Sequence, residues 1–170
     1  LMNAKTYHVL FLCTGNSARS IMAEVLLNSL GKPRLRAFSA GSRPLGQVHP
    51  LALEILQKHG HDTAPLRSKS WNEFAGESAP EMDFIFTLCD KAAGENCPVW
   101  PGHPITGHWG FKDPAAAIGT REAQRRVFAR MFREITVRIQ AFLSLPIDKL
   151  DRLALQQRVR ELGNPPAPHS

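Results

Sequence analysis

An apolar, strand-like run from Tyr7 to Leu12 meets Cys13-Thr14-Gly15-Asn16-Ser17-Ala18-Arg19-Ser20, and a helix-like run follows to Leu30. A chain that passes from strand to helix in so few residues leaves several backbone N–H groups facing one concave loop. With the positive end of the helix dipole they make an anion site. Arg19 adds a planar fork of donors matched to a tetrahedral oxyanion. Cys13 sits beneath that anion, where positive potential favours thiolate over thiol, and Ser20 is placed to donate a hydrogen bond to the sulfur. Thr14, Gly15, Asn16, Ser17, Ala18 and Arg19 are therefore the expected oxyanion binders, and Cys13 the expected nucleophile. The plain alternative is a structural cysteine at a strand end with a solvated Arg19. The C-x5-R-S spacing between a strand and a helix is far more specific than that.

The remaining pattern alternates strands and helices. Met22, Val25, Leu26 and Leu30 recur at helical spacing, with Gly31 and Pro33 as the stop. Leu35 to Ala40 reads as a second strand closed by Gly41. Val48, Leu51, Ala52, Ile55 and Leu56 form the stripe of an amphipathic helix, with Pro50 near its start and Gly60 at its end. Residues 61–80 read mostly as loop, with a short helix near Trp71. Phe84 to Leu88 and Ile105 to Trp109 are the third and fourth strands. Thr120 caps a long helix whose core stripe is Val127, Phe128, Met131, Phe132, Ile135, Ile139 and Phe142; a further helix from about Asp148 to Leu162 follows Pro146. Such alternation predicts an α/β chain, a parallel sheet wrapped on both faces. Ligands of open α/β sheets bind outside the carboxyl ends of the strands. Cys13, Cys89 and Asp113 each follow a predicted strand and are expected to meet at that edge.

Composition narrows the function classes. The chain has 170 residues, 43% of them hydrophobic, which suits one domain with a real core. No apolar run approaches the ~20 residues of a membrane span. The first apolar run reads as a strand rather than a secretory leader, so the cytoplasm is the expected compartment. Three cysteines, Cys13, Cys89 and Cys97, are too few for a secreted disulfide framework and point to catalysis or metal binding. The formal charge of +6 suits an anionic substrate, although much of the surplus lies between Arg121 and Arg160 on late helices. No nucleic-acid reading motif accompanies it, and nucleic acid is not an expected partner.

These residues carry a resemblance. Val9-Leu10-Phe11-Leu12, the Cys13–Ser20 loop and Asp113-Pro114 resemble the low-molecular-weight protein tyrosine phosphatase fold. Cys89-Asp90, Asn96-Cys97-Pro98 and His108-Trp109-Gly110-Phe111-Lys112-Asp113-Pro114-Ala115 are similar to the arsenate reductases built on it. The resemblance runs over residues 6–145; residues 146–163 are then a C-terminal helical extension and 164–170 a tail expected to be disordered. It implies a single-domain three-layer sandwich, a four-stranded parallel sheet in the order 2-1-3-4 flanked by helices. It also implies roles. Cys13 attacks arsenic, Arg19 and the loop amides stabilise the oxyanion, Asn16 shapes the loop, Ser20 supports the thiolate and Asp113 protonates the departing oxygen. Cys89 then attacks the Cys13 adduct, arsenite leaves, and Cys97 takes over as a Cys89–Cys97 disulfide. An external thiol system, thioredoxin or glutathione/glutaredoxin, reduces that disulfide. A two-electron reduction without a flavin or nicotinamide motif needs thiols, and three cysteines suffice for such a relay. Because a disulfide needs Cα atoms within ~7 Å, residues 90–96 are expected to change conformation between reduced and oxidised forms.

Some members with this resemblance bind potassium near the loop. Asn16, Glu24 and Ser39 match parts of that site, but Ser68-Lys69-Ser70 lacks the carboxylate expected there and Lys69 brings positive charge instead. No tightly bound cofactor and no potassium requirement are expected. Two other readings compete. The same loop serves a tyrosine phosphatase working through a phosphocysteine, although Ala115 stands where that group carries an aromatic residue, and phosphatase chemistry has no use for Cys89 and Cys97. A zinc-binding structural protein would use Cys89, Cys97, His103 and His108, but residues 90–96 separate the cysteines by more than structural zinc prefers.

Overall fold

Four short strands pair in parallel: β1 Tyr7–Cys13, β2 Leu35–Gly41, β3 Phe84–Thr87 and β4 Ile105–His108, in the order β2-β1-β3-β4. The computed structural model describes residues 5–89, 100, 102–114 and 118–163. Cys97, Ala115, the connection at 90–96 and the tail at 164–170 lie outside the described residues. Parallel neighbours require long crossovers. Between the strands lie α1 Arg19–Leu30, α2 Pro50–Lys58 and a 3-10 turn at Trp71–Phe74; after them come α3 Arg121–Leu143, a 3-10 turn at Ile147–Lys149 and α4 Arg152–Gly163. The expected strand order and alternation hold.

The register sets the functional edge. Cys13 pairs with Gly41, Leu12 with Thr87, and Thr87 with His108, so β1, β2, β3 and β4 end side by side. Alternating strand residues divide two cores. Val9, Phe11, Phe84 and Phe86 meet all four α-helices on one face, while Leu10, Leu12, Ala40 and Ile85 meet Trp71, Phe74, Met82 and Trp100 on the other. The two outer layers are therefore unequal among the described residues. The thin one is built on the 3-10 turn, whose Ser70 caps the Asn72 N–H.

Aromatic packing fixes the end of β4. Trp109 is fully buried, stacked on Phe86 with ring centroids 4.1 Å apart and packed on Phe11 and Phe142. Such rings each contribute about 1.5–3 kcal/mol by burial. α3 buries the predicted stripe from Phe128 to Phe142, and Thr120 accepts the Ala123 N–H as its cap.

The last helix begins later than the sequence pattern predicts, at Arg152 rather than near Asp148. Asp151 caps the Ala154 N–H, and Pro146 starts a separate 3-10 turn. α4 lies along β4, one of the two outer strands of the sheet. Leu155 and Val159 are buried, and Gln156 Nε2 donates to the Thr106 carbonyl at 2.9 Å. Gly107 is required there, since a Cβ would meet Val159 Cγ1 at 2.8 Å and the Phe86 ring at 2.9 Å.

Candidate active site

The loop after β1 is held from outside. Arg43, Leu45 and His49 donate their backbone N–H groups to the carbonyls of Thr14, Gly15 and Ser17, at 2.9, 3.0 and 2.8 Å. Ser68 Oγ donates to the Gly15 carbonyl as well. In a trans peptide the N–H points opposite to the C=O. With these carbonyls turned to the 43–49 segment, the N–H groups of Gly15, Asn16 and Ala18 turn away from it; Gly15 and Ala18 line the concavity, whereas Asn16 is fully buried and does not. Asn16 makes this turn at φ 46°, a left-handed conformation that asparagine tolerates better than most residues. Gly41 at the end of β2 permits the close approach, because a Cβ there would meet the Thr14 carbonyl at 2.5 Å. The N-cap of α1 is Ala18, which provides no side-chain acceptor, so the first turn leaves its amides to a bound anion.

Cys13, Arg19, Cys89 and Asp113 come together as the sequence predicts. They line one cavity of about 600 Å3, with Thr14, Gly15, Ser17, Ala18, Arg43, Leu45, Phe111 and Lys112. Cys13 is 2% exposed and Cys89 5%, and the two form a small buried cluster. Thr14 Oγ1 lies 3.5 Å from Cys89 Sγ. Arg19 donates from Nη1 to the Phe111 carbonyl at 2.9 Å, and its Nη2 is 3.9 Å from Asp113 Oδ1. The guanidinium therefore links the anion loop to the segment carrying Asp113. Arg138 of α3 stacks over the Trp109 and Phe111 rings, 6.0 and 5.5 Å from their centroids, and braces that segment.

Asn16 and Ser20 act beneath the loop. Asn16 Oδ1 accepts the Lys69 N–H at 2.9 Å, which orients its Nδ2 to donate to Ser20 Oγ at 2.7 Å and Ser39 Oγ at 3.0 Å. Ser20 Oγ lies 2.9 Å from Cys13 Sγ. With one lone pair of Ser20 engaged by Asn16, its own proton is available for the sulfur, as a thiolate requires.

Asn16, Glu24 and Ser39, the expected parts of a potassium site, do gather. Ser39 Oγ donates to Glu24 Oε1 at 2.5 Å. The fourth member is Lys69, whose Nζ is 3.3 Å from Ser39 Oγ and 3.6 Å from Glu24 Oε1. A cluster that already contains an ammonium ion does not fit an inorganic cation. The zinc alternative fares no better. His103 precedes β4 while Cys89 follows β3, at opposite ends of parallel strands, and His108 Nδ1 is 2.8 Å from Thr87 Oγ1. No group of three metal-ligating side chains gathers among the described residues, and Cys97 is outside them.

Sequence reasoning missed the clamp by residues 43–49 and the carbonyl of Phe111. It also missed Arg43 and Lys112 at the cavity wall. Arg43 carried a signal, since it lies two residues past the end of β2, on the same sheet edge as Cys13. His49 caps α2 by accepting the Leu51 N–H and packs on Phe128. Burial, followed by the charge of Arg121, lowers its pKa from the ordinary histidine value.

Three comparisons relate this chain to known proteins. Residues 8–157 match the family described as low molecular weight phosphotyrosine protein phosphatase. A protein of Shouchella clausii named arsenate reductase is 39% identical over 134 residues, 79% of this chain and 93% of that one. A solved arsenate reductase in the phosphate binding state superposes with a TM-score of 0.65 at 26% identity, over 82% of this chain and 98% of that one. A thioredoxin-dependent arsenate reductase of Corynebacterium glutamicum gives a TM-score of 0.53 at 26% identity, over 82% of this chain and 64% of that one.

Proposed function

This chain belongs to the low molecular weight phosphotyrosine protein phosphatase family, and from that premise we propose that it reduces arsenate to arsenite through a cysteine relay. The Cys13 thiolate attacks arsenic, and an oxygen leaves as water with a proton from Asp113. The loop amides and Arg19 hold the remaining negative charge. The Cys89 thiolate next attacks the Cys13 sulfur. The Cys13–arsenic bond breaks, its electron pair reduces arsenic, and arsenite leaves a Cys13–Cys89 disulfide. Cys97 attacks Cys89, frees Cys13 and leaves Cys89–Cys97 for an external dithiol to reduce, so two thiols are oxidised for each arsenate.

The observation that carries this reading is the buried pairing of Cys89 with Cys13. A phosphatase needs one thiolate, an arginine and an acid. Its hydrolytic step makes no use of a second thiol packed beside the first. The donor is proposed to be a thioredoxin, a reading supported by the thioredoxin-dependent relative, with glutathione and glutaredoxin as the competing donor in the test. Cytoplasmic action follows from the reducing donor.

Arsenate turnover is to be coupled to NADPH oxidation with each system supplied separately, for the wild type and for Cys13→Ser, Cys89→Ser and Cys97→Ser. Turnover with thioredoxin, lost in all three variants, supports the relay. Survival of Cys97→Ser with glutathione and glutaredoxin assigns the final step to glutathione. Absence of turnover with both systems, alongside aryl phosphate hydrolysis that survives Cys89→Ser, identifies a phosphatase.

A further inference from the structure

Lys69 is a largely buried charge with no part in the relay. It precedes Ser70, which bridges to Gly41 beside the anion loop, and its side chain is only 9% exposed. Burial pulls its pKa below the usual lysine range and the Glu24 carboxylate pushes it back up. Such a residue is costly unless its charge is used. Its contacts with Ser39 and Glu24 lead toward the anion loop. Nζ donates to Ser39 Oγ and to the Arg67 carbonyl, at 3.3 and 3.1 Å, and faces Glu24, which is 18% exposed. Ser39 donates a hydrogen bond to Glu24 and accepts one from Asn16. Asn16 donates to Ser20, and Ser20 reaches Cys13. The Lys69 backbone grips the same elements: its N–H donates to Asn16 Oδ1, and its carbonyl accepts the Gly41 N–H at 2.9 Å.

We infer that Lys69 is the resident cation of the oxyanion loop, a positioning residue whose ammonium balances Glu24 and fixes the Ser39–Asn16–Ser20 chain beneath Cys13, so that the loop works without an inorganic monovalent cation. Without the ammonium, Glu24 is a poorly solvated carboxylate behind a site built for an anion and a thiolate. Its field opposes both. The Ser39 hydroxyl also loses a donor, which loosens the amide of Asn16 and the hydrogen bond that Ser20 offers to sulfur. A carboxylate in place of Lys69 would face Glu24 and Ser39 and make a cage for potassium, which then does the work of the ammonium.

The inference rests on the proposed anion site but not on the redox relay, and its test avoids arsenate reduction. The wild type, Lys69→Met and Lys69→Asp are alkylated with iodoacetamide at fixed pH, in potassium chloride and in choline chloride. Inorganic phosphate serves as the protecting probe, and the Cys13 peptide is followed by mass spectrometry. The wild type is expected to behave alike in both salts. Lys69→Met should lose about tenfold in phosphate affinity and in Cys13 alkylation rate in both. Lys69→Asp should lose as much in choline and recover most of it in potassium, a rescue that a purely structural lysine would not give. Wild-type loop behaviour in Lys69→Met, or a several-fold gain in phosphate affinity of the wild type with potassium, overturns the inference. The wild-type salt comparison decides alone if Lys69→Met does not fold. Failure of phosphate to protect wild-type Cys13 counts against the proposed function, and the salt dependence of the alkylation rates still judges Lys69.

Discussion

At the scale of single residues, the chemistry depends on groups that separate parts of the sequence bring to the Cys13 cavity. Asp113 is the proposed proton donor, and its carboxyl lies 3.9 Å from Arg19, the proposed oxyanion binder. Asp113→Asn should lower kcat for arsenate by about 10²–10⁴, the usual contribution of a general acid, while inorganic phosphate still inhibits; an unchanged kcat excludes the role. Ser20→Ala removes the hydroxyl 2.9 Å from Cys13 Sγ and should slow alkylation of Cys13 at fixed pH, with little change in melting temperature. Much of this site is legible in the sequence, because a strand, a C-x5-R-S loop and a helix occupy consecutive residues. The partners of those residues are not. Nothing near Arg19 announces that the Phe111 carbonyl will hold it, and nothing near Asn16 announces the Lys69 N–H. Local patterns say which side chains can act as donors and acceptors; only the crossovers decide which of them meet.

At the scale of elements, the strand β4 and the residues that follow it deliver Asp113, and their placement rests on Trp109. That ring is buried against Phe86, Phe11 and Phe142. Trp109→Ala should cost about 3–5 kcal/mol, as large-to-small core substitutions of aromatics do, and should depress kcat as well, since the acid segment loses its anchor. Thr120→Ala, at the cap of α3, should cost about 1 kcal/mol and leave kcat alone. Urea denaturation and arsenate kinetics on the same two variants separate anchor from cap. The expected stripe of α1 is off, since Leu30 is exposed and Ile21, Ala23 and Leu27 are buried, whereas the strands and the long α3 are legible because their apolar periods are clean. The start of α4 is less so: a helical stripe continues through Asp148, and only the Asp151 cap and the break at Pro146 place the first turn at Arg152. The uneven layers are equally hidden, since strand alternation shows that both faces are buried but not what buries them.

At the scale of the whole molecule, the first strand and the last elements are tied together. Tyr7 donates its hydroxyl to Asp148 Oδ1 at 2.6 Å, across 141 residues of sequence. That hydrogen bond, with burial and the charge of Asp148, pushes the Tyr7 pKa from 10.0 up to about 12. Between pH 10 and 12 the unfolded chain ionises its tyrosine while the folded one keeps its proton, so the contribution is full below pH 10 and is lost as pH rises toward 12. Tyr7 is the only tyrosine in the chain, and its phenolate absorbance should titrate near 12 in the wild type and move back toward the ordinary value in Asp148→Asn. A wild-type midpoint at 10.0 would mean that the tie is not made in solution. The sheet, by contrast, converges on the opposite edge, where β1, β3 and β4 bring Cys13, Cys89 and Asp113 to one cavity. The central claim is that electrons for arsenic come from the protein's own thiols, and a single turnover tests it most directly. Fully reduced Cys97→Ser is mixed with excess arsenate and no external thiol, then quenched, and arsenite and cysteine linkage are read by mass spectrometry. The account predicts one arsenite per chain and a Cys13–Cys89 disulfide. Two alkylatable thiols and no arsenite, from a protein that still hydrolyses aryl phosphate, would contradict it.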